Sequence, residues 1–288
     1  MEKKFITVSA NINAPLQTVW CMRTEPRHIV NWNFASDDWH SPKAEIELRV
    51  GGKFCVAMAA KDGSFAFDFS GTYTKVEYYK GFDYTMDDGR TSSVVFTEKN
   101  GATIMSETFE AEGTNPVEMQ EQGWQSILNN FKKYVEANKN LKLHFNVLIN
   151  AKNKKTFSTM LNKEGYEAWT KAFNPTSHYK GDWSQGSKIL FIGQDENGNV
   201  GGTVSRIRQN IKNQHLSIEH LGMVQGDKEI MDGPAVEPWK GGLENYTFIN
   251  EGNGTRVYVD MDSNEDFKSY FEETWPKALS LLKEICER

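Results

Sequence analysis

Between Lys43 and Arg49 polar and apolar residues alternate, placing Ile46, Leu48 and Val50 on one face, the period-two pattern of a half-buried strand. Gly51-Gly52 then turns the chain into a strand from Lys53 to Ala60. Phe65, Phe67 and Phe69 alternate in the same way and set three rings on one strand face. Asp62-Gly63, Asp87-Asp88-Gly89 and Asn100-Gly101 read as hairpin turns, because Asp-Gly and Asn-Gly pairs accept the positive φ of tight loops. The last two bound strands from Arg90 to Glu98 and from Ala102 to Ala111. After Thr114-Asn115-Pro116 the period changes. Trp124, Ile127, Leu128, Phe131 and Val135 recur at helical spacing, with Gln125, Asn129 and Lys132 on the other side. That stripe needs an apolar partner, and the concave face of the sheet is the available one.

Upstream, Phe5 to Ala14 reads as a strand ending in Ile12-Asn13-Ala14. Pro15 suits the first turn of a short helix to about Met22, and Glu25-Pro26 restarts a second to about Trp32. The plan then repeats. Leu143 to Ala151 also ends in Ile-Asn-Ala before a helical stretch, and Gln185-Gly186-Ser187-Lys188-Ile189 matches Val50-Gly51-Gly52-Lys53-Phe54. Further hairpin turns are predicted at Asp195-Glu196-Asn197-Gly198 and Glu251-Gly252-Asn253-Gly254. Each copy closes on a helix with a Trp near its start, Trp124 and Trp275; the second also carries Phe267, Phe271, Ala278, Leu282 and Ile285. Pro276 either kinks that second helix or begins a new one. Gly226 to Gly242 is a Gly- and Pro-bearing insertion, over a pocket mouth or at a contact between modules. The expected architecture is α+β: two tandem domains, 1–138 and 141–288. Each is a curved antiparallel sheet around a long C-terminal helix, with two short helices after the first strand.

Composition agrees with two domains. A chain of 288 residues exceeds the usual single-domain size, and 38% hydrophobic with 25% charged residues is ordinary for a globular protein. A net charge of −6 draws the chain towards neither nucleic acid nor an anionic membrane. No stretch is long enough for a membrane span, and Met1 to Thr7 lacks a signal peptide's apolar run. Cys21, Cys55 and Cys286 are odd in number and far apart, which suits free thiols in a reducing compartment, so a cytoplasmic location is expected. Asn245-Tyr246-Thr247 and Asn253-Gly254-Thr255 are then chance matches to a glycosylation triplet.

The order strand, two short helices, six strands, long helix is similar to the helix-grip, or START-like (SRPBCC), superfamily. Glu47-Leu48-Arg49-Val50-Gly51-Gly52-Lys53-Phe54, then Asp62-Gly63, Gly71-Thr72-Tyr73 and Gly123-Trp124, resembles the family named after the activator of the heat-shock-protein-90 ATPase. That resemblance covers nearly all of 1–138. Residues 141–288 look like a more divergent member of the superfamily, through the order of elements and Trp275-Pro276-Lys277-Ala278-Leu279. The resemblance implies a cavity between sheet and closing helix, in which superfamily members bind lipids, sterols or polyketides and a few convert them. It also implies a chaperone ATPase as an alternative partner. The eukaryotic cochaperone has its activating segment in a separate N-terminal domain, whereas here the module begins at residue 1, so its function is not carried over with its name.

The histidines His28, His40, His144, His178, His215 and His220 form no metal-binding spacing, and no Cys-x-x-Cys pair or Gly-x-Ser-x-Gly elbow occurs. No catalytic residue, metal or cofactor is therefore assigned. The glycine doublets lack the strand-then-helix setting of a phosphate loop. Glu45, Glu47 and Arg49, the pair Arg206 and Arg208, and Glu219 with His215 read as the solvated outer face of a sheet, although an inward Arg or Glu could orient a ligand's carboxylate or carbonyl. The aromatic share of 12% carries the stronger signal. Trp32, Phe34 and Trp39 are expected at the pocket rim, and Phe54, Met58, Phe67, Phe69, Tyr84, Trp124 and Phe131 along its walls. In the second module the equivalents are Trp169, Phe173, Trp183, Phe191, Tyr246, Phe248 and Trp275. Such residues can equally fill a core without any ligand. The leading expectation is non-enzymatic binding of a small hydrophobic molecule; the alternatives are a cochaperone-type interaction protein and a cyclase- or dehydratase-type enzyme.

Overall fold

The computed structural model describes residues 3–139, 142–263 and 265–288, and the chain divides between residues 139 and 140 into two compact units. In the first unit, β1 (Phe5–Ile12) is followed by α1 (Leu16–Thr24) and α2 (Pro26–Ile29). Strands β2 (Trp39–Ile46), β3 (Lys53–Ala60), β4 (Ala66–Glu77), β5 (Gly81–Met86), β6 (Thr91–Lys99) and β7 (Ala102–Glu110) follow, and α3 (Val117–Asn138) closes the unit. The strands form one antiparallel sheet in the order β1-β7-β6-β5-β4-β3-β2. Only the β1–β7 pairing joins strands distant in sequence, setting Phe5 opposite Glu110 and Ile12 opposite Thr103.

Local chemistry sets the boundaries. α1 stops at Glu25 (φ −91°, ψ 125°) because the ring of Pro26 disfavours helical geometry in the residue before it. Along β7, Thr103, Met105, Glu107 and Phe109 are buried in strict alternation, as the side-chain period of a strand requires. α3 buries Leu128, Phe131 and Val135 and leaves its polar side to solvent. At Gly71 in β4 a Cβ would come within 2.4 Å of the Thr85 carbonyl oxygen and 2.9 Å of the Phe54 ring, so glycine lets that ring lie against the strand.

The stretch around Val50 differs from its pattern. The strand occupies Trp39–Ile46 rather than extending to Arg49, and Val50 is 63% exposed while Leu48 is buried. Residues 47–52 instead make a turn, with the Arg49 amide donating to the Glu47 carbonyl and the Gly52 amide to that of Arg49. Gly51, at φ 76°, carries the turn in the left-handed region.

The second unit repeats the plan with β8 (Lys142–Ile149), α4 (Asn153–Leu161), α5 (Lys163–Thr170), β9 (His178–Gly181), β10 (Lys188–Gln194), β11 (Val200–Ile211), β12 (His215–Gln225), β13 (Lys228–Ile230), β14 (Leu243–Glu251), β15 (Gly254–Asp262) and α6 (Glu265–Glu287). Its sheet runs β8-β15-β14-β12-β11-β10-β9, with β13 paired to β12. The insertion at 226–242 thus begins as a hairpin extension of β12. α6 is one helix with Pro276 inside it; Pro276 lies on the exposed side, while Trp275, Ala278, Leu279 and Leu282 are buried.

Candidate functional site

In the first unit, α3 stands off the concave face of the sheet and leaves a cavity of about 390 Å3, within the usual size range of small-molecule sites. Trp32, Trp39, Met58, Phe67, Phe69, Tyr84, Trp124 and Phe131 all line it. Ring contacts hold these walls. Trp124 stacks on Phe109 at 3.9 Å between centroids and meets Phe69 edge-on at 5.8 Å, while Phe131 lies 4.7 Å from Trp32. Trp39, Phe65 and Phe67 form an aromatic edge whose rings lie 5.9 to 6.1 Å apart; Phe65 and Phe67 are exposed.

Two expected residues are placed elsewhere. Phe54 is buried behind the wall, within 5.0 to 5.5 Å of Tyr84, Tyr73 and Phe69, because its ring fills the space opposite Gly71. Phe34 is half-buried off the wall, and its carbonyl accepts a 2.8 Å hydrogen bond from Asn130 Nδ2 on α3.

The cavity also has a polar floor. Glu107 on β7 accepts hydrogen bonds at Oε1 from the Tyr84 hydroxyl (2.7 Å) and the Ser92 hydroxyl (3.3 Å). Arg23 on α1 reaches the same carboxylate through one nitrogen, at 3.4 and 3.5 Å. Its guanidinium lies over Trp32 and Phe82, 5.3 and 5.5 Å from the ring centroids, a cation–π arrangement. Arg23, Tyr84 and Glu107 all line the cavity. Burial, with the Glu107 charge beside it, pushes the Tyr84 phenol well above its ordinary range, so at neutral pH it remains a donor. Sequence reasoning missed Glu107 and Arg23. For Glu107 the signal was present, since it shares the inward row of Met105 and Phe109.

α3 is tied down at its start. Glu112 accepts from the backbone amides of Thr114 and Asn115, and Gln120, a cavity-lining residue, exchanges hydrogen bonds with the Glu112 backbone. These amides hold the Glu112 carboxyl down at about 2, below its ordinary 4.5. A depressed carboxyl pKa means the contribution is present above the ordinary range and is lost as pH falls through about 2. An NMR titration of Glu112 is therefore expected to show a midpoint near 2, and an ordinary midpoint would remove this anchor.

At Gly123 in α3, which lines the cavity, an added Cβ would meet no atom within 4 Å. A helix-interior glycine costs about 1 kcal/mol relative to alanine. Protein packing does not require it there; what it leaves is space.

In the second unit the expected residues gather in one aromatic cluster. Trp275 lies 6.0 Å from both Trp169 and Tyr246 and 4.9 Å from Phe173, Trp183 is 5.7 Å from Phe191, and Phe248 meets Phe157 at 5.1 Å. Trp169, Tyr246, Phe248 and Trp275 are buried in the core, with Phe173, Trp183 and Phe191 partly buried against it. A polar chain joins buried Ser205 and Tyr246 through half-buried His220 and Glu244: Ser205 Oγ lies 3.0 Å from His220 Nδ1, His220 Nε2 lies 3.5 Å from Glu244, and the Tyr246 hydroxyl donates to Glu244.

Among the described residues no group of three or more His, Cys, Asp or Glu could hold a metal ion, and no helix is long and apolar enough to cross a membrane. A family model described as activator of Hsp90 ATPase homolog 1-like protein matches residues 13–136. Among solved structures, an AHSA1-like protein from Aeromonas hydrophila is 46% identical over 46% of this chain and 93% of its own, with a TM-score of 0.45. A protein from Cytophaga hutchinsonii is 47% identical over 46% of this chain and 92% of its own, at a TM-score of 0.42. The di-domain ARO/CYC StfQ from the steffimycin biosynthetic pathway is similar over 98% of both chains, at 9% identity and a TM-score of 0.41. No curated protein matches the chain. On the family model and the identity to the Aeromonas protein, the chain belongs, through its first module, to the activator of Hsp90 ATPase homolog 1-like family.

Proposed function

We propose that the first module binds a small, mainly apolar molecule in the cavity between its sheet and α3, without transforming it. The observation that carries this reading is the cavity itself: about 390 Å3, walled by aromatic rings and floored by a few converging polar groups. A well-packed interior leaves few voids larger than a water molecule, so a space of this size bordered by Gly123 suits a ligand better than a core. The carboxylate that a cyclase or dehydratase would use as its base, Glu107, is engaged by Tyr84, Ser92 and Arg23, which favours binding over catalysis. The cochaperone alternative, action on an Hsp90-class ATPase, rests on the family description, and a flat ATPase titration would remove it.

Native mass spectrometry of the gently purified protein, with organic extraction of whatever is bound, tests the reading directly. Gly123→Leu supplies the control. It is expected to abolish uptake while leaving stability unchanged or raised by about 0.5–1 kcal/mol, because leucine favours the helix and its side chain occupies open space. Undiminished uptake in the folded variant would sink the cavity assignment.

A further inference from the structure

We infer that the molecule taken up by the first module is an apolar carboxylate, with its head group held by the guanidinium of Arg23. The inference rests on the cavity-binding reading and adds the chemical class of its ligand. Arg23 presents five N–H donors in a planar fork. Only Nη2 is used, in contacts of 3.4 and 3.5 Å to Glu107; among the described residues the other nitrogens have no hydrogen-bond partner. A side chain only 16% exposed, set over the faces of Trp32 and Phe82, has exchanged most of its hydration for rings that accept no strong hydrogen bond.

The other charges of the lining do not compete for that role. Glu107 has its own donors in Tyr84 and Ser92, besides Arg23. Arg90, the second guanidinium of the lining, is bound to Asp88 through Nε at 2.9 Å and Nη2 at 2.8 Å, and to the Glu110 carbonyl through Nη1 at 3.3 Å. A cationic head would meet two guanidinium groups. A neutral head would gain a hydrogen bond but no charge pairing. A carboxylate matches the unused fork in shape and sign, with its apolar body left to the rings of Trp39, Phe67, Phe69, Trp124 and Phe131.

Titration calorimetry on the full chain with 2-naphthoate, 2-naphthylmethanol and 2-naphthylmethylammonium tests this, since the three share one ring system and differ in head charge. Naphthoate is expected to bind about tenfold or more tighter than the alcohol, and the ammonium ion weakest. In Arg23→Met/Glu107→Gln, which removes both charges of the floor together, the advantage of naphthoate is expected to vanish, whereas the alcohol, which loses one hydrogen bond and no charge pairing, weakens far less than naphthoate does. Arg23→Lys, which keeps the charge and loses the fork, provides a second reading if the double variant does not fold: naphthoate weakens but still exceeds the alcohol. An alcohol that binds as tightly as naphthoate, or an ammonium ion that binds best, overturns the inference and leaves the cavity reading intact. Naphthoate preference persisting in the double variant removes Arg23 from the role. No binding of any of the three, in a protein whose extract is also empty, takes down the inference and the cavity reading together.

Discussion

Arg23→Met is expected to lower the stability of the first unit by about 3 kcal/mol, although the methionine preserves most of the stem's packing. The loss arises in the group left behind. Glu107 is nearly buried, and Arg23 is the cation that faces it. Without Arg23, two hydroxyl hydrogen bonds remain to hold a full charge in an apolar setting. Breaking a buried pair by removing one partner costs about 3–5 kcal/mol, and the opening of Arg23 towards the cavity places this case at the lower end. Arg23→Met/Glu107→Gln should recover most of the deficit, because the substituted glutamine carries no charge and its amide oxygen can still accept from Tyr84. Urea unfolding of the four members of this double-mutant cycle checks the expectation, with hydrogen exchange along β5 to β7 locating the loss in the first unit. Additive effects, with no recovery in the double variant, would mean that the pair is not coupled.

Phe131→Ala should be comparably severe, at about 3–5 kcal/mol. Phe131 is fully buried on α3, 4.7 Å from Trp32, and holds the helix over the sheet from the middle of its apolar stripe. Deleting the ring removes both its transfer free energy and the contacts of its neighbours. Here the void also merges with an existing cavity, so collapse around it is hindered. The measurement is again urea unfolding. A loss below about 1 kcal/mol would indicate that the helix can settle onto the sheet, and hence that the cavity walls are pliable.

Much of this architecture was legible in the chain. Period-two alternation of Phe67 and Phe69 in β4, the helical stripe of α3 and the Asp-Gly and Asn-Gly turns are local properties, because strand faces, helix faces and positive φ values follow from backbone geometry alone. The repeat of those signals marked two copies of one plan. The aromatic part of the first module's cavity lining was legible for the same reason: Phe67, Phe69, Trp124 and Phe131 sit on the cavity side of their own strand or helix.

Tertiary structure decided the rest. Phe54 and Phe69 lie on neighbouring strands and both read as wall residues, yet only Phe69 reaches the cavity, since the Phe54 ring is drawn against Gly71. Val50 carried the right alternation and still faces solvent, because the turn at Gly51 ends the strand first. The pairing of Arg23 with Glu107 joins positions 84 residues apart in sequence, and no local pattern encodes such a meeting. Whether aromatic residues close on one another or stand apart depends on how far a helix is held from its sheet. The chain alone determined which residues share a strand or helix face; only the packed unit determined which of those in the first module border a space and that a cation sits at its floor.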